Sequence, residues 1–277
     1  MDRDGGARDD DRPGPLAALA HPDARRRFVV APATGSAPEA DGWVRYDDLA
    51  SAAAVRVRRR TDPVAGLGIE ELTAAMAFHA VAVPVVDLAV SLLVLGGPQV
   101  RLRGRRLWAR SEGHAVTEVA VDPEAFGPAE PASADPDAAA ADLVAVLGAA
   151  ASLDEGDVAL RWGAVADLVV VLALVAARRH GRDQQVVRAQ ADAVVAGLRA
   201  RRPHPDRPPG ALAVPGPTGD VLVLAHRSTC CQWHRAARAL DAATVAEARC
   251  ADCPSLDAAT CTARLAALAA DGGLGEP

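Results

Sequence analysis

Two long runs of small aliphatic residues, 80–95 and 164–177, set the first limit on what this chain can become. Pro84 and Asp87 interrupt the first, and Asp167 interrupts the second. Each uncharged stretch therefore falls short of the roughly 20 residues that span a bilayer. The runs read as buried core helices, and no transmembrane segment is expected. Ala, Val and Leu supply nearly all of the apolar half of the chain, while aromatic residues make up 3%. A core of small aliphatic side chains, rich in Ala and Leu, favours helices. The expected fold is mainly α with a minor β component (α+β), a helical body with short hairpins and a small C-terminal module.

Three regions follow from the shifts in composition. Residues 1–41 are rich in Gly, Pro, Asp and Arg and read as a mostly flexible segment, with 16–19 and 28–30 as short docked pieces. Residues 42–200 form the helix-rich body. A helix is expected over 50–57, and a clearer one from Ile69, where Leu72, Ala75, Met76 and His79 repeat at helical spacing behind Glu70 and Glu71. Pro84 should kink or restart it, and Gly96-Gly97 should end it. Val100 and Leu102, then Leu107 and Ala109, alternate with arginines and predict a hairpin turning near Gly104, with a third strand over 115–121. Helices over 136–150, 161–180 (expected to be the longest) and 184–199 complete the body. In residues 201–277, a proline-rich linker leads to strands over 211–214 and 221–225 around a Pro-Gly-Pro-Thr-Gly turn, and a helix over 263–270 closes the module.

The net charge of −6 argues against general nucleic-acid binding and suits a cytoplasmic protein. All thirty basic residues are Arg, so no step can use a lysine amine. Gly66-Leu67-Gly68 lacks the third glycine and the preceding strand of a dinucleotide fingerprint, and no P-loop is present.

All five cysteines lie between Cys230 and Cys261. Such clustering marks a metal site or a disulfide framework, and no apolar export segment precedes it to favour the second. The spacing is a vicinal pair, Cys230-Cys231, then eighteen residues, then Cys250-Ala251-Asp252-Cys253. A two-residue gap can turn two sulfurs onto one metal. Adjacent cysteines in an extended chain point to opposite faces, so they converge only if the chain turns. Two irons joined by sulfides tolerate that better than one tetrahedral zinc, and four thiolates match the count a [2Fe–2S] cluster needs. A structural zinc, with His226 or His234 as further donors, and redox thiols stay open as alternatives. Cys261 reads as a buried spare thiol.

The segment Arg227-Ser228-Thr229-Cys230-Cys231-Gln232-Trp233-His234-Arg235, followed by Cys250-Ala251-Asp252-Cys253-Pro254, resembles the C-terminal motif of FhuF-type ferric-siderophore reductases. Arg161-Trp162-Gly163-Ala164-Val165-Ala166 is similar to that family's Trp-Gly segment at a helix start. The gap between the cysteine pairs is longer than is usual there, and His234 stands where Tyr is common. An extra helix over 236–248 would take up the length. The resemblance implies a cytoplasmic [2Fe–2S] protein, with a place near the inner face of the membrane left open, that reduces siderophore-bound iron(III). Cys230, Cys231, Cys250 and Cys253 would ligate the cluster, and no catalytic residue beyond it is implied. Arg227 and Arg235 are candidate contacts to an anionic siderophore. With no nicotinamide or flavin site in the sequence, a ferredoxin or a flavin reductase would supply the electron. The alternative is a zinc-stabilised module that handles siderophores without redox.

Overall fold

The computed structural model describes residues 27–30, 42–51, 54–55, 70–97, 101–102, 107–112, 115–126, 135–152, 158–230 and 250–271. Within them the chain is mainly helical with small sheets. In order it runs β1 (Arg27–Val30), β2 (Trp43–Arg45), α1 (Tyr46–Leu49), α2 (Glu70–Leu95), β3 (Leu107–Glu112), β4 (Ala115–Val121), α3 (Pro136–Ala151), α4 (Val158–Arg179), α5 (Gln184–Arg201), β5 (Gly210–Pro215), β6 (Val221–His226) and α6 (Ala258–Ala270). Of the expected regions, Cys231, Arg235, Gly104, the 236–248 helix and residues 1–41 apart from β1 lie outside the described residues.

Helices α2, α4, α5 and α3 form a four-membered ring, each packed on the next, with α2 back against α3. The two apolar runs sit in α2 and α4, which face each other. By length and composition alone Thr73–Leu95 and Val158–Arg179 could each cross a membrane, and 78% and 61% of their most apolar stretches lie buried inside the protein.

Pro84 does not restart the helix, since α2 runs through it, and α2 rather than α4 is the longest described helix. The reason is burial. Val81, Val85, Val86 and Leu88 around the proline are all 0% exposed. Several such side chains, at roughly 1.5–3 kcal/mol each, outweigh the roughly 3 kcal/mol that an interior proline costs. The helix ends as expected at Gly96. Its φ of 64° lets Gly96 N–H reach Leu93 O (3.2 Å) and Gly97 N–H reach Leu92 O (2.9 Å), closing a Schellman motif.

A four-stranded sheet in the order β1-β4-β3-β2 covers one side of the bundle; β1 runs parallel to β4, and the other pairs are antiparallel. The described hairpin here is β3–β4; the turn expected near Gly104 lies outside the described residues. Arg101 and Leu102 join no strand, because their amides are used elsewhere: Arg101 N–H donates to Ala125 O (2.8 Å) and Leu102 N–H to Asp142 Oδ2 (3.3 Å). α1 ends at Leu49, before the helix expected over 50–57; of that stretch Ala54 and Val55 are helical, while 52–53 and 56–57 lie outside the described residues. The buried Tyr46 hydroxyl donates to Val81 O and joins α1 to α2.

The linker after α5 lies along that helix. Arg199 Nη1 donates to Pro205 O (2.8 Å), and Arg188 donates to Gly210 O (2.7 Å) and Pro209 O (2.8 Å). In the β5–β6 hairpin that follows, β6 is covered on both faces from Leu222 onward, while Ala211, Ala213 and Pro215 of β5 are exposed. Strand alternation sends Val223 and Ala225 toward the bundle core, while Leu222 and Leu224 join Val214, Leu265 and Ala269 in a second small core under α6. The end of β6 is thus pressed against α4, and the cysteine segment begins there.

Candidate functional site

Arg227 to Cys230 leave β6 across α4, where one buried side chain receives them. Asp167, midway along α4, is 2% exposed. Its Oδ1 accepts from Ser228 N (2.6 Å) and Ser228 Oγ (2.9 Å). Its Oδ2 accepts from Thr229 N (2.8 Å) and from Thr229 Oγ1. A carboxylate is costly to bury unless its oxygens are bonded, and here each takes two donors. Burial pushes the Asp167 pKa up, and the bonds from Ser228 and Thr229 oppose that shift. One turn earlier, Gly163 leaves room for the same segment. A Cβ there would stand 2.5 Å from Thr229 Cγ2 and 2.8 Å from Pro205 Cδ. Trp162 beside it is 0% exposed, with the Arg202 guanidinium 5.5 Å from its ring centroid. It is a packing anchor of the bundle.

The second cysteine segment is tied to the first by Arg227. The guanidinium pairs with Asp252 at 2.9 Å, and Arg227 N–H donates to Asp252 O at 3.3 Å. Asp252 lies between Cys250 and Cys253, so this double link sets Cys230 beside that turn. Cys253 N–H donates to Cys250 O at 3.1 Å, the tight turn that the Cys-x-x-Cys spacing asks for. Cys253 is buried, with its Sγ 3.1 Å from Ser255 Oγ, while Cys230 and Cys250 are half-buried. Arg227, a candidate siderophore contact from the sequence, turns its charge to Asp252.

Among the described residues, no three His, Cys, Asp or Glu side chains are grouped closely enough to hold a metal ion. Cys230, Cys250 and Cys253 are brought to neighbouring turns and not closed around one point. The donor set suits an iron–sulfur group in kind: soft cysteine sulfurs from two segments docked on each other, with two of the three described candidate ligands half-buried.

Cys261, on α6, is 0% exposed and supports this turn from behind. Arg207 Nη2 lies 2.9 Å from His226 Nδ1. A guanidinium only donates, so Nδ1 accepts and the neutral ring carries its proton on Nε2. That nitrogen is 3.7 Å from Cys261 Sγ, which donates to Cys253 O at 3.5 Å. Burial and the Arg207 charge lower the His226 pKa and keep the ring neutral. Burial, with Asp252, Cys253 and Asp257 nearby, pushes the Cys261 thiol up. Cys261 is therefore placed as a protonated thiol bracing the backbone of Cys253.

His79 reaches the site's edge from α2. Burial and then the charge of Arg227 lower its pKa from 6.5 to about 4. Unfolded, the ring takes its proton near 6.5. Between the two values the unfolded chain binds a proton that the folded chain refuses. The contribution is complete above pH 6.5 and is lost as pH falls from 6.5 toward 4. At most about 3 kcal/mol is at stake, since one pKa unit corresponds to about 1.36 kcal/mol. Urea unfolding of His79→Gln and wild type at pH 7 and pH 4.5 tests this. The wild type should lose more stability than the variant on acidification, and equal losses would refute it.

No family model, no curated protein and no solved structure matches this chain.

Asp167 is the residue of the candidate site that sequence reasoning passed over, treating it only as an interruption of an apolar run. The signal was present. A carboxylate inside so apolar a helix must find donors, and Ser228-Thr229 beside the cysteines is a compact set of four. His79 was noted for its helical spacing alone. The Arg207–His226–Cys261 chain carried no sequence signal, because its members meet only through the hairpin and α6.

Proposed function

We propose that this protein reduces iron(III) held by a siderophore, one electron at a time, with Cys230, Cys231, Cys250 and Cys253 holding a [2Fe–2S] cluster. The observation that carries the reading is the docking of the two cysteine segments through Arg227 and Asp252, on a floor fixed by Asp167. The resemblance of the same residues to the FhuF-type motif supports it. When bound, such a cluster supplies single electrons at a potential its surroundings tune. Iron(III) is a hard cation gripped by siderophore oxygens, and iron(II) is held less strongly, so reduction loosens it. The half-buried Cys230 and Cys250 would leave the electron a short path to a chelate at the surface. The electron would come from a partner, a ferredoxin or a flavin reductase, and the protein would work in the cytoplasm.

The test is an anaerobic visible spectrum of the full chain, with iron, sulfide and zinc assayed on the same sample. Thiolate-to-iron bands with equal iron and sulfide, lost in Cys253→Ser, are expected, as is bleaching of the reduced form by ferric siderophore. Colourless protein loaded with zinc, and refusing iron and sulfide on anaerobic reconstitution, would replace the reading with a zinc-stabilised module.

A further inference from the structure

We infer that Asp167 is the positioning residue for Cys230 and that its buried charge lowers the potential at which the proposed centre accepts an electron. The inference rests on the functional reading above. Cys230 follows directly on Ser228 and Thr229, whose amides and hydroxyls all point to this one carboxylate. Its backbone is therefore held to a rigid helix rather than to a loop, as a ligating residue requires. Both carboxylate oxygens take an amide donor, an arrangement that suits the ionised form. Among the described residues, the charged and titratable groups facing this place are Arg227, paired with Asp252, the neutral His226 and the neutral His79. Among the described residues, no guanidinium or imidazolium is hydrogen-bonded to Asp167 to cancel its charge. A fixed negative charge beside a centre that gains an electron raises the energy of the reduced form. The reduced centre is then a stronger reductant, which suits a poorly reducible ferric chelate.

Two variants of the full chain test this. Asp167→Asn keeps the shape and removes the charge; Ser228→Ala/Thr229→Val removes the hydroxyls and keeps both the charge and the amide bonds. In cluster-free protein, alkylation of the Cys230–Cys231 peptide, followed by mass spectrometry, should quicken about tenfold in Asp167→Asn and less in the double variant. In samples matched for iron and sulfide, the midpoint potential should rise in Asp167→Asn and stay near wild type in the double variant. Alkylation within about twofold of wild type in both variants would overturn the positioning role. An unmoved potential in loaded Asp167→Asn would overturn the electrostatic one. The alkylation arm needs no cluster, so wild-type protein that takes no iron and sulfide fails the functional reading alone.

Discussion

Placing alanine at Gly163 is expected to destabilise the protein by about 2 kcal/mol, although alanine is the better helix former by about 1 kcal/mol. The added methyl would meet Thr229 Cγ2 at 2.5 Å and the Pro205 ring at 2.8 and 2.9 Å. Neither neighbour can swing aside. The Thr229 hydroxyl and amide are bonded to Asp167, and the proline ring sits in a linker held by Arg199. Relief must come from backbone movement, either of the segment before Cys230 or of the linker. The variant should therefore lose stability, and the proposed cluster would be held less firmly. Gly148→Ala in α3 is the control. Its methyl would meet only Arg202 Nη2, at an ordinary 3.5 Å, so the propensity gain should survive there. Urea unfolding of both variants decides the matter. If Gly163→Ala matched Gly148→Ala, the close approach of Thr229 to α4 would be refuted.

Trp162→Ala should cost more, about 3–5 kcal/mol, because it empties the largest fully buried side chain in the core. The stack with Arg202 goes with it. Trp162→Phe should cost far less than the lost volume suggests. Among the described residues the buried indole Nε1 has no hydrogen-bond partner, and phenylalanine removes that unsatisfied donor. A calorimetric comparison should rank the proteins wild type, then Trp162→Phe, then Trp162→Ala. Equal losses in the two variants would mean that the indole is held by its polar edge rather than by packing. Trp162 and Gly163 thus do adjoining work: one fills the bundle, and the other leaves it open where the cysteine segment lands.

Local patterns carried much of the architecture. α3, α5 and β4 lie close to where apolar spacing, proline and glycine place them, because caps and periodicity act within a few residues. Asp135 and Asp183 cap their helices by accepting from amides two residues on, a signal visible in the sequence. The strands of the β5–β6 hairpin follow from alternation and the turn between them. β1 was read only as a short docked piece over 28–30, and β2 was missed. A strand of three or four residues is too short to show a period, and each forms only because β4 or β3 offers it an edge.

By itself, the sequence determined the small-aliphatic helical character of the chain, its lysine-free chemistry and the cysteine spacing from which the proposed iron chemistry was read. Those depend on composition and on neighbours along the chain. Tertiary structure alone decided that α2 runs through Pro84, that β3 pairs with β4, and that Arg227 faces Asp252. It also decided that Asp167, 61 residues before Ser228, is the floor beneath Cys230. Each of those outcomes is a competition between distant partners for one backbone bond, one charge or one buried volume. Local sequence names the competitors, and only the packed chain brings them close enough for one to win.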